Sequence, residues 1–187
     1  MIHTFAVYVE NKPGVLNRVA SLFRRRAYNI ESLTVGHTDK PGVSRMTIVV
    51  DTDEFGARRL EAHLYKLVNV LYVDDLSKSP AVTRDLAMIK VSANIENRSH
   101  ILQLAHVFRA RVVDVSPESV IVEITGTEDK IDGILEVLRP YGILEMVRTG
   151  RVAMARGAKA AAAAVSANGG ALYADEFSQP EDVSYSV

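Results

Sequence analysis

Hydrophobic positions in residues 1–78 alternate between the period of a strand and the period of a helix. In "IHTFAVYVE", at residues 2–10, every second side chain faces the same way, which is typical of a strand. From Val15 to Phe23 apolar residues recur every three or four positions, as on a helix that packs on one side. The pattern then predicts two strands, a helix and a last strand: "NIESLTV", "SRMTIVV", the helix of Ala57, Leu60, Leu64 and Leu67, and "VNVLYVDDL". The order βαββαβ is the ferredoxin-like arrangement.

Residues 79–157 repeat this order. The pattern predicts six further elements, which are "RDLAMIKVSA" (strand), "SHILQLAHVFRA" (helix), "RVVDVS" and "SVIVEITG" (strands), "EDKIDGILEVLRPYG" (helix) and "ILEMVRTGRVAM" (one final strand). We therefore predict an α+β protein of two tandem ferredoxin-like βαββαβ domains, 1–78 and 79–157. Their boundary is expected in the polar, proline-containing segment Ser77 to Thr83.

Residues 158–187 differ in composition from both domains. An alanine-rich run is followed by "EFSQPEDVSYSV". Alanine favours a helix, but this run has no apolar periodicity with which to pack against a core. We expect a frayed, disordered tail without a functional role, with a docked element as the alternative.

Composition excludes several function classes. A net charge of -1 argues against a broad nucleic-acid-binding face, and 48% hydrophobic residues are typical of a globular protein. The absence of cysteine excludes disulfides, thiolate metal sites and a cysteine nucleophile. No apolar run has membrane-spanning length, and the N-terminus does not resemble a signal peptide. We expect a cytoplasmic protein that binds neither membrane nor nucleic acid.

Candidate catalytic groups do not cluster in the sequence. The histidines lack metal-ligand spacing, and we expect His63, between polar neighbours on a helix, to be solvated. Asp74 and Asp75 are adjacent, so on a strand they face opposite ways and cannot act as a pair. The pattern predicts no catalytic residue and no metal site, and thus a protein that binds or regulates. RNA binding stays an alternative, although Phe5 and Tyr8 lack the dense aromatic and basic pattern of such modules.

The junction "ENKPGVL" between the first strand and the first helix permits two interpretations. As an N-cap, Asn11 would accept a bond from a first-turn amide, with Pro13 inside the first turn. Gly14 leaves the backbone open to a ligand, and free amides at a helix start suit an anion such as a carboxylate. Spacing alone favours the plain capped helix.

Longer stretches carry a family resemblance over residues 1–157. "ENKPGVLNRVASLF" resembles the effector loop and first helix of ACT domains, small ferredoxin-like modules that bind amino acids. Six ordered segments resemble the small regulatory subunit of acetolactate synthase, also called acetohydroxyacid synthase: "YNIESLTVG", "SRMTIVV", "KLVNVLYV", "FRARVVDVS", "EITGTEDKID" and "RTGRVAMARG".

The resemblance implies a non-catalytic subunit that carries no cofactor. Its implied partner is a large catalytic subunit, which uses thiamine diphosphate, magnesium and FAD to condense pyruvate with pyruvate or 2-oxobutyrate at the start of valine, leucine and isoleucine synthesis. The small subunit would activate that partner and make it sensitive to feedback inhibition by valine. A free-standing ACT-type sensor for another enzyme or a transcription factor is the alternative.

The resemblance also implies the effector site. Asn11, Gly14, Val15 and Leu16 match the effector loop, which includes Lys12 and Pro13, while Asn29 and Ile30 match the start of the second strand. In ACT homodimers the ligand lies between the loop of one chain and the strand of the other.

These residue types suit an amino acid. The amides near Gly14 and the Asn11 side chain would hold the carboxylate, and a carbonyl of Asn11 or Asn29 would accept from the ammonium group. Val15, Leu16 and Ile30 would line an apolar pocket for a branched side chain. These residues do not distinguish valine from leucine or isoleucine.

The second half and the end of the first helix have different expected roles. "NIENRSH" lacks Pro-Gly, so we expect no effector site in the second half. The first helix, with Arg24 to Arg26 at its end, and the second domain are candidate surfaces for the large subunit.

Overall fold

A computed structural model describes residues 1–157, and the predicted tail at 158–187 lies outside the described residues. The first domain contains, in chain order, β1 (Ile2–Glu10), α1 (Val15–Arg25), β2 (Ser32–His37), β3 (Val43–Asp51), α2 (Glu54–Leu64) and β4 (Val70–Asp75). Its strands form an antiparallel sheet in the order β2-β3-β1-β4. The predicted βαββαβ order is confirmed.

The second domain repeats the arrangement with one more strand. Its elements are β5 (Ala81–Ser92), α3 (Arg98–Val107), β6 (Arg111–Val115), β7 (Ser119–Gly126), α4 (Glu128–Leu138), β8 (Ile143–Arg148) and β9 (Val152–Ala155). The sheet order is β6-β7-β5-β8, and β9 pairs with the start of β5. The predicted boundary between residues 78 and 79 falls between a 3-10 turn at Leu76–Lys78 and the start of β5.

The prediction of one uninterrupted final strand is wrong. β8 and β9 both pair with β5, but Arg148 lies opposite Ala87 and Val152 opposite Arg84. Three residues of the last strand therefore face two residues of β5, as in a β-bulge. The extra residue interrupts the ladder, and the apolar pattern on either side of it gives no sign of the break.

Each domain has its own core between its sheet and its two helices. In the first, Phe5, Val7 and Val9 of β1 pack with Val19 and Phe23 of α1, on the faces that the periodicity predicts. The second core joins β5 and β7 to α3 and α4 through Ala87, Ile89, Val91, Ile101, Val122, Ile124, Ile131, Ile134 and Leu138.

The opposite face of the first sheet is covered by the second domain. Ala6 of β1 packs with Leu76 and with Ala153 of β9 in a small buried cluster. Arg45 of β3 donates to the carbonyl oxygen of Ala153 and, at 3.1 Å, to the hydroxyl of Tyr8. Both faces of β1 are thus buried, one by each domain.

The turn between β8 and β9 lies against β2. The N–H of Arg151 donates to Ser32 Oγ at 2.7 Å, and Thr34 Oγ1 donates to the Arg151 carbonyl at 3.2 Å. Gly150 sits so close that a Cβ there would lie 2.6 Å from Ser32 Oγ and from Thr34 Oγ1, and 2.9 Å from the Leu33 carbonyl oxygen. The second domain therefore contacts the strand that follows the predicted effector residues Asn29 and Ile30.

Candidate effector site

The first helix begins later than the sequence suggests. Its N-cap is Gly14, no side chain caps it, and Pro13 precedes the helix. The expectation that Asn11 is the N-cap, with Pro13 in the first turn, is wrong. The N–H of Asn11 donates to the carbonyl of Gly42 at 2.7 Å, so Asn11 still belongs to the end of the sheet.

Gly14 adopts a backbone conformation that other residues avoid. Its φ of 81° lies in the left-handed region, where a Cβ costs roughly 1–2 kcal/mol. A Cβ at this position would also meet no atom within 4 Å. The glycine therefore sets the direction of the chain and leaves the space beside it open.

The amides at this helix start are available to a ligand. Within residues 1–157 the N–H groups of Gly14, Leu16 and Asn17 have no hydrogen-bond acceptor, and that of Val15 reaches the Lys12 carbonyl only at 3.4 Å. The first turn contains no acidic residue, so no carboxylate of the helix itself neutralises the positive end of its dipole. Backbone donors and the dipole together favour an anion here.

The side chains of the predicted loop point to different environments. Asn11 and Lys12 are exposed, with Lys12 Nζ 3.5 Å from Glu10 Oε1. Leu16 is 44% exposed and offers an apolar surface beside the free amides, whereas Val15 is only 4% exposed and packs in the first core. Leu16 is thus the loop side chain placed to contact an apolar ligand group.

Asn29 and Ile30 lie in the connection before β2. The Asn29 amide nitrogen donates to Glu31 Oε1 at 2.6 Å, and no hydrogen bond in the described residues uses its carbonyl oxygen. Ile30 is partly buried against the first core. Both residues keep the features expected of them, an acceptor and an apolar side chain.

One chain does not bring the two predicted groups together. Val49 of β3 lies opposite Ser32, the first residue of β2, and also opposite Thr4 near the start of β1. The start of β2 is therefore at the same end of the sheet as the start of β1. The effector loop follows Glu10, which lies opposite Val43 at the other end. The loop and the Asn29–Ile30 segment therefore occupy opposite ends of the sheet.

Three polar residues that the periodicity did not single out hold the loop. Arg18 Nη1 of α1 donates to Asn69 Oδ1 at 2.6 Å, and the N–H of Glu10 donates to the Asn69 carbonyl at 2.9 Å. Asn69 Nδ2 also donates to a Glu10 carboxylate oxygen. This network ties the strand before the loop to the helix after it. Its members are far apart in sequence and follow no period, so no pattern reveals them.

Side chains of the matching loop in the second domain accept hydrogen bonds from three of its own amides. The Asn94 side chain accepts from the N–H groups of Glu96 and Asn97 at 3.0 and 2.9 Å, and the Asn97 side chain accepts from the N–H of Asn94 at 2.8 Å. Arg98 Nη2 in turn donates to the carbonyls of Ser116 and Pro117. The second loop therefore uses three of its amides internally, although α3, like α1, begins without a side-chain cap.

Other titratable groups belong to structural contacts. Asp75 is buried and pairs with His3 at 3.3 Å and Lys78 at 3.3 Å, while Asp74 faces the other side of β4. The expectation that His63 is solvated is wrong, because it is partly buried and its Nδ1 is closed to solvent without a partner in the described chain. In residues 1–157 no group of three His, Asp or Glu side chains could hold a metal ion. None of the described helices is long and apolar enough to span a membrane.

Comparison with known proteins agrees with the geometry in both halves. Residues 5–72 match the family of AHAS small subunit-like ACT domains, and residues 84–157 match the family described as small subunit of acetolactate synthase. A probable acetolactate synthase small subunit of Archaeoglobus fulgidus is 52% identical over 159 residues, which are 85% of this chain and 99% of that protein. The chain belongs to the acetolactate synthase small-subunit family.

Other members of the acetolactate synthase small-subunit family agree in sequence and fold. The acetolactate synthase small subunit of Mycolicibacterium smegmatis is 46% identical over 162 residues, covering 87% of this chain and 95% of that one. The crystal structure of the Thermotoga maritima small subunit superposes with a TM-score of 0.79 at 40% identity, over 84% of this chain and 99% of that chain. The α+β fold with an ACT domain, predicted from the resemblance, is confirmed.

Proposed function

We propose that this chain is a non-catalytic regulatory subunit that activates a large acetolactate synthase subunit and makes it sensitive to feedback inhibition by valine. Family membership supports the partner and the regulatory role. The observation that carries the effector site is the start of α1 at Gly14. Among the described residues, backbone N–H groups there have no acceptor and no side chain caps the helix.

The proposed ligand is a branched-chain amino acid with its carboxylate at this helix start. The N–H groups of Leu16 and Asn17 donate hydrogen bonds to the carboxylate. The helix dipole stabilises the negative charge by roughly 0.3–1 kcal/mol, and by up to about 2 kcal/mol when the site is partly buried. Leu16 and Ile30 contact the branched side chain, and the carbonyl oxygen of Asn11 or Asn29 accepts from the ammonium group. Valine, leucine and isoleucine all satisfy this description, and valine is proposed from the family.

A second copy of the chain completes the site. β2 is an edge strand of the first sheet. If two β2 strands pair antiparallel about a two-fold axis, the sheet continues across both chains and the start of one β2 lies beside the end of the other. The Asn29–Ile30 segment of one chain then approaches the effector loop of its partner. The opposite placement of the two groups within one chain is what such a shared site requires.

The chemistry belongs to the large subunit in this proposal. Thiamine diphosphate, magnesium and FAD are bound there, and residues of this chain bind the effector and position the subunits. Valine changes activity only through different affinities for the active and inhibited assemblies. A coupling free energy of roughly 1–3 kcal/mol is typical of such a linkage.

The experiment measures acetolactate formation by the large subunit with and without this chain, titrated with valine, leucine and isoleucine. Wild type is compared with Gly14→Asp, which places a negative charge where the carboxylate binds. We expect the Gly14→Asp variant to activate the large subunit normally but to confer no inhibition by valine.

The matched control for the Gly14→Asp variant is Asn97→Asp, which places the same charge at the start of α3 in the second domain. Its valine response should equal that of wild type. Asp at a φ of 81° strains the backbone, so circular dichroism must show that Gly14→Asp is folded. A folded Gly14→Asp variant with unchanged valine inhibition would contradict the site.

A further inference from the structure

A groove lies on the helical side of the first domain, where α1 ends beside the C-terminal part of α2. It has a volume of about 320 Å³ and is lined by Leu22, Arg25, Arg26, His63, Lys66 and Leu67. We call it the basic groove. It is separate from the effector loop, because the loop precedes α1 and the groove lies at the other end of the same helix.

In the part of the chain that the structure describes, no carboxylate neutralises the positive charges around the basic groove. Within residues 1–157 no carboxylate lies within ion-pair distance of Arg24, Arg25, Arg26, Arg59 or Lys66. The neighbouring Arg58 differs, since its Nε lies 3.2 Å from Glu54 Oε1. The concentration of unpaired cations creates a positive potential that attracts an acidic group from outside.

His63 responds to this potential. Burial lowers the pKa of His63, and the charges of Arg26, Lys66 and Arg59 lower it further. Three cations, from α2 and from the residues that follow α1 and α2, thus act on one imidazole inside the groove. Two of these cations, Arg26 and Lys66, also line the groove.

The floor of the groove is apolar. Leu22 is only 7% exposed and belongs to the first core, and Leu67 packs against the same core. An occupant that uses the whole groove therefore combines carboxylates, for the arginines and Lys66, with an apolar side chain above the two leucines. A bare anion would use only the charges.

We propose that the basic groove is the docking site for an acidic segment of the catalytic partner, a stretch of Asp and Glu with an apolar side chain among them. This inference rests on the proposed function only in taking the large subunit as the partner. Charge complementarity selects a protein segment over RNA, because the cations surround a short apolar floor and the chain as a whole carries a net charge of -1.

α1 connects this groove to the effector loop. The helix has 11 residues, and at 1.5 Å per residue its ends are about 16 Å apart. A ligand carboxylate at its start and an acidic partner at its end therefore contact the same rigid element. A small displacement of α1 on effector binding moves Arg25 and Arg26 relative to the partner, which gives valine a direct route to the catalytic subunit.

The test uses the full chain and the purified large subunit. The dissociation constant of the pair is measured by isothermal titration calorimetry at low and high salt for wild type and for the double variant Arg25→Glu/Arg26→Glu. We expect at least tenfold weaker binding at low salt and a shallower salt dependence, because charge reversal replaces attraction with repulsion. The matched control is Arg58→Glu, an exposed cation of α2 outside the groove, and it should bind within twofold of wild type.

The outcomes separate the groove from the proposed function. If wild type neither binds nor activates the large subunit, the proposed function fails and the groove proposal fails with it. If wild type activates and the double variant binds equally well, the groove proposal alone is overturned. Valine binding by the free double variant, together with its circular dichroism, shows that charge reversal has not unfolded the chain.

Two other occupants have their own signatures. Residues 158–187 contain Asp175, Glu176, Glu181 and Asp182. If deleting this segment tightens binding of the large subunit and removes the effect of charge reversal, the groove holds the chain's own tail, and the proposal is wrong. It is also wrong if charge reversal abolishes an RNA gel shift while leaving subunit binding unchanged.

Discussion

The guanidinium of Arg148 donates to Asp85 Oδ2 from Nε at 3.0 Å and from Nη2 at 2.7 Å, across the second sheet. The Asp85 side chain is 8% exposed and that of Arg148 is 22% exposed. Arg148 is the last residue of β8, just before the turn that contacts the first domain. Its Nη1 also lies 3.1 Å from Asp132 Oδ1. Within residues 1–157, this nearly buried carboxylate thus depends on one arginine for charge compensation.

Arg148→Met should destabilise the protein by about 2–3 kcal/mol, because it leaves the Asp85 carboxylate without its partner. The value is below the roughly 3–5 kcal/mol of a fully buried pair, since water reaches part of the guanidinium. Urea unfolding measures the loss. The double variant Asp85→Asn/Arg148→Met should recover part of it, because the uncompensated charge is gone.

The control for Arg148→Met is another arginine–carboxylate ion pair, which lies at the surface. Arg111 lies 4.0 Å from Glu123, and its side chain is 82% exposed. Arg111→Met should lower the free energy of unfolding by less than about 1 kcal/mol. Equal losses in the two variants would show that burial of Asp85 is not what makes Arg148 important.

Gly150→Ala should destabilise the contact between the domains. Its Cβ would lie 2.6 Å from two hydroxyl oxygens and 2.9 Å from a main-chain oxygen, so the turn must move away from β2. We expect a loss of about 1–3 kcal/mol in thermal or urea unfolding. Gly36→Ala is the control on β2 itself, where a Cβ meets no atom within 4 Å. A loss in Gly36→Ala as large as that in Gly150→Ala would contradict the steric explanation.

Asp53→Ala should destabilise α2 by about 1 kcal/mol, because Asp53 Oδ1 accepts from the N–H of Gly56 at 2.6 Å as an N-cap. Thr127 occupies the same position before α4 but makes no side-chain cap bond. Thr127→Ala is therefore expected within about 0.5 kcal/mol of wild type. Chemical denaturation of both variants measures the difference, and comparable losses would refute the assignment of the cap.

His63 should make stability depend on pH in the acidic range. Burial and the nearby Arg26 lower its pKa in the folded chain, so the unfolded chain binds the proton more readily. Stability from this group is complete above about pH 6.5, the ordinary histidine pKa, and is lost as pH falls below that value. Unfolding free energies measured from pH 5 to 7.5 should fall less steeply for His63→Gln than for wild type.

A second variant tests one electrostatic cause of the His63 pKa shift. Arg26→Gln removes one nearby positive charge and leaves the helix contacts in place. NMR titration should then show a higher His63 pKa than in wild type, because a neutral glutamine does not oppose protonation. An unchanged pKa in Arg26→Gln would mean that the charge of Arg26 does not contribute to the shift.

Periodicity predicted the elements whose side chains divide cleanly between core and solvent. α1 and α2 bury the residues that recur at helical spacing, and β1 places Phe5, Val7 and Val9 in the core as expected. The tandem βαββαβ order followed from these patterns, because each domain has its own core. The family resemblance supplied the effector residues, which no period singles out.

Main-chain geometry was the part that the sequence did not reveal. Gly14 had two possible roles from its spacing, and its left-handed φ showed that the helix starts after it and not after Asn11. The break between β8 and β9 depends on a one-residue excess against β5. The contact of Arg151 with Ser32 joins a main-chain N–H to a hydroxyl 119 residues away, and neither group contributes to a hydrophobic pattern.

The fit of Gly150 between Ser32 and Thr34 limits how the two domains recombine. A chimera that joins residues 1–78 of this chain to the second domain of a relative inherits one side of that contact from each parent. A second domain with any other residue at this turn would place a Cβ against these two hydroxyls and weaken the contact. The two domains share one fold but differ at this contact. A domain from a relative must therefore have a surface that matches the domain it is joined to.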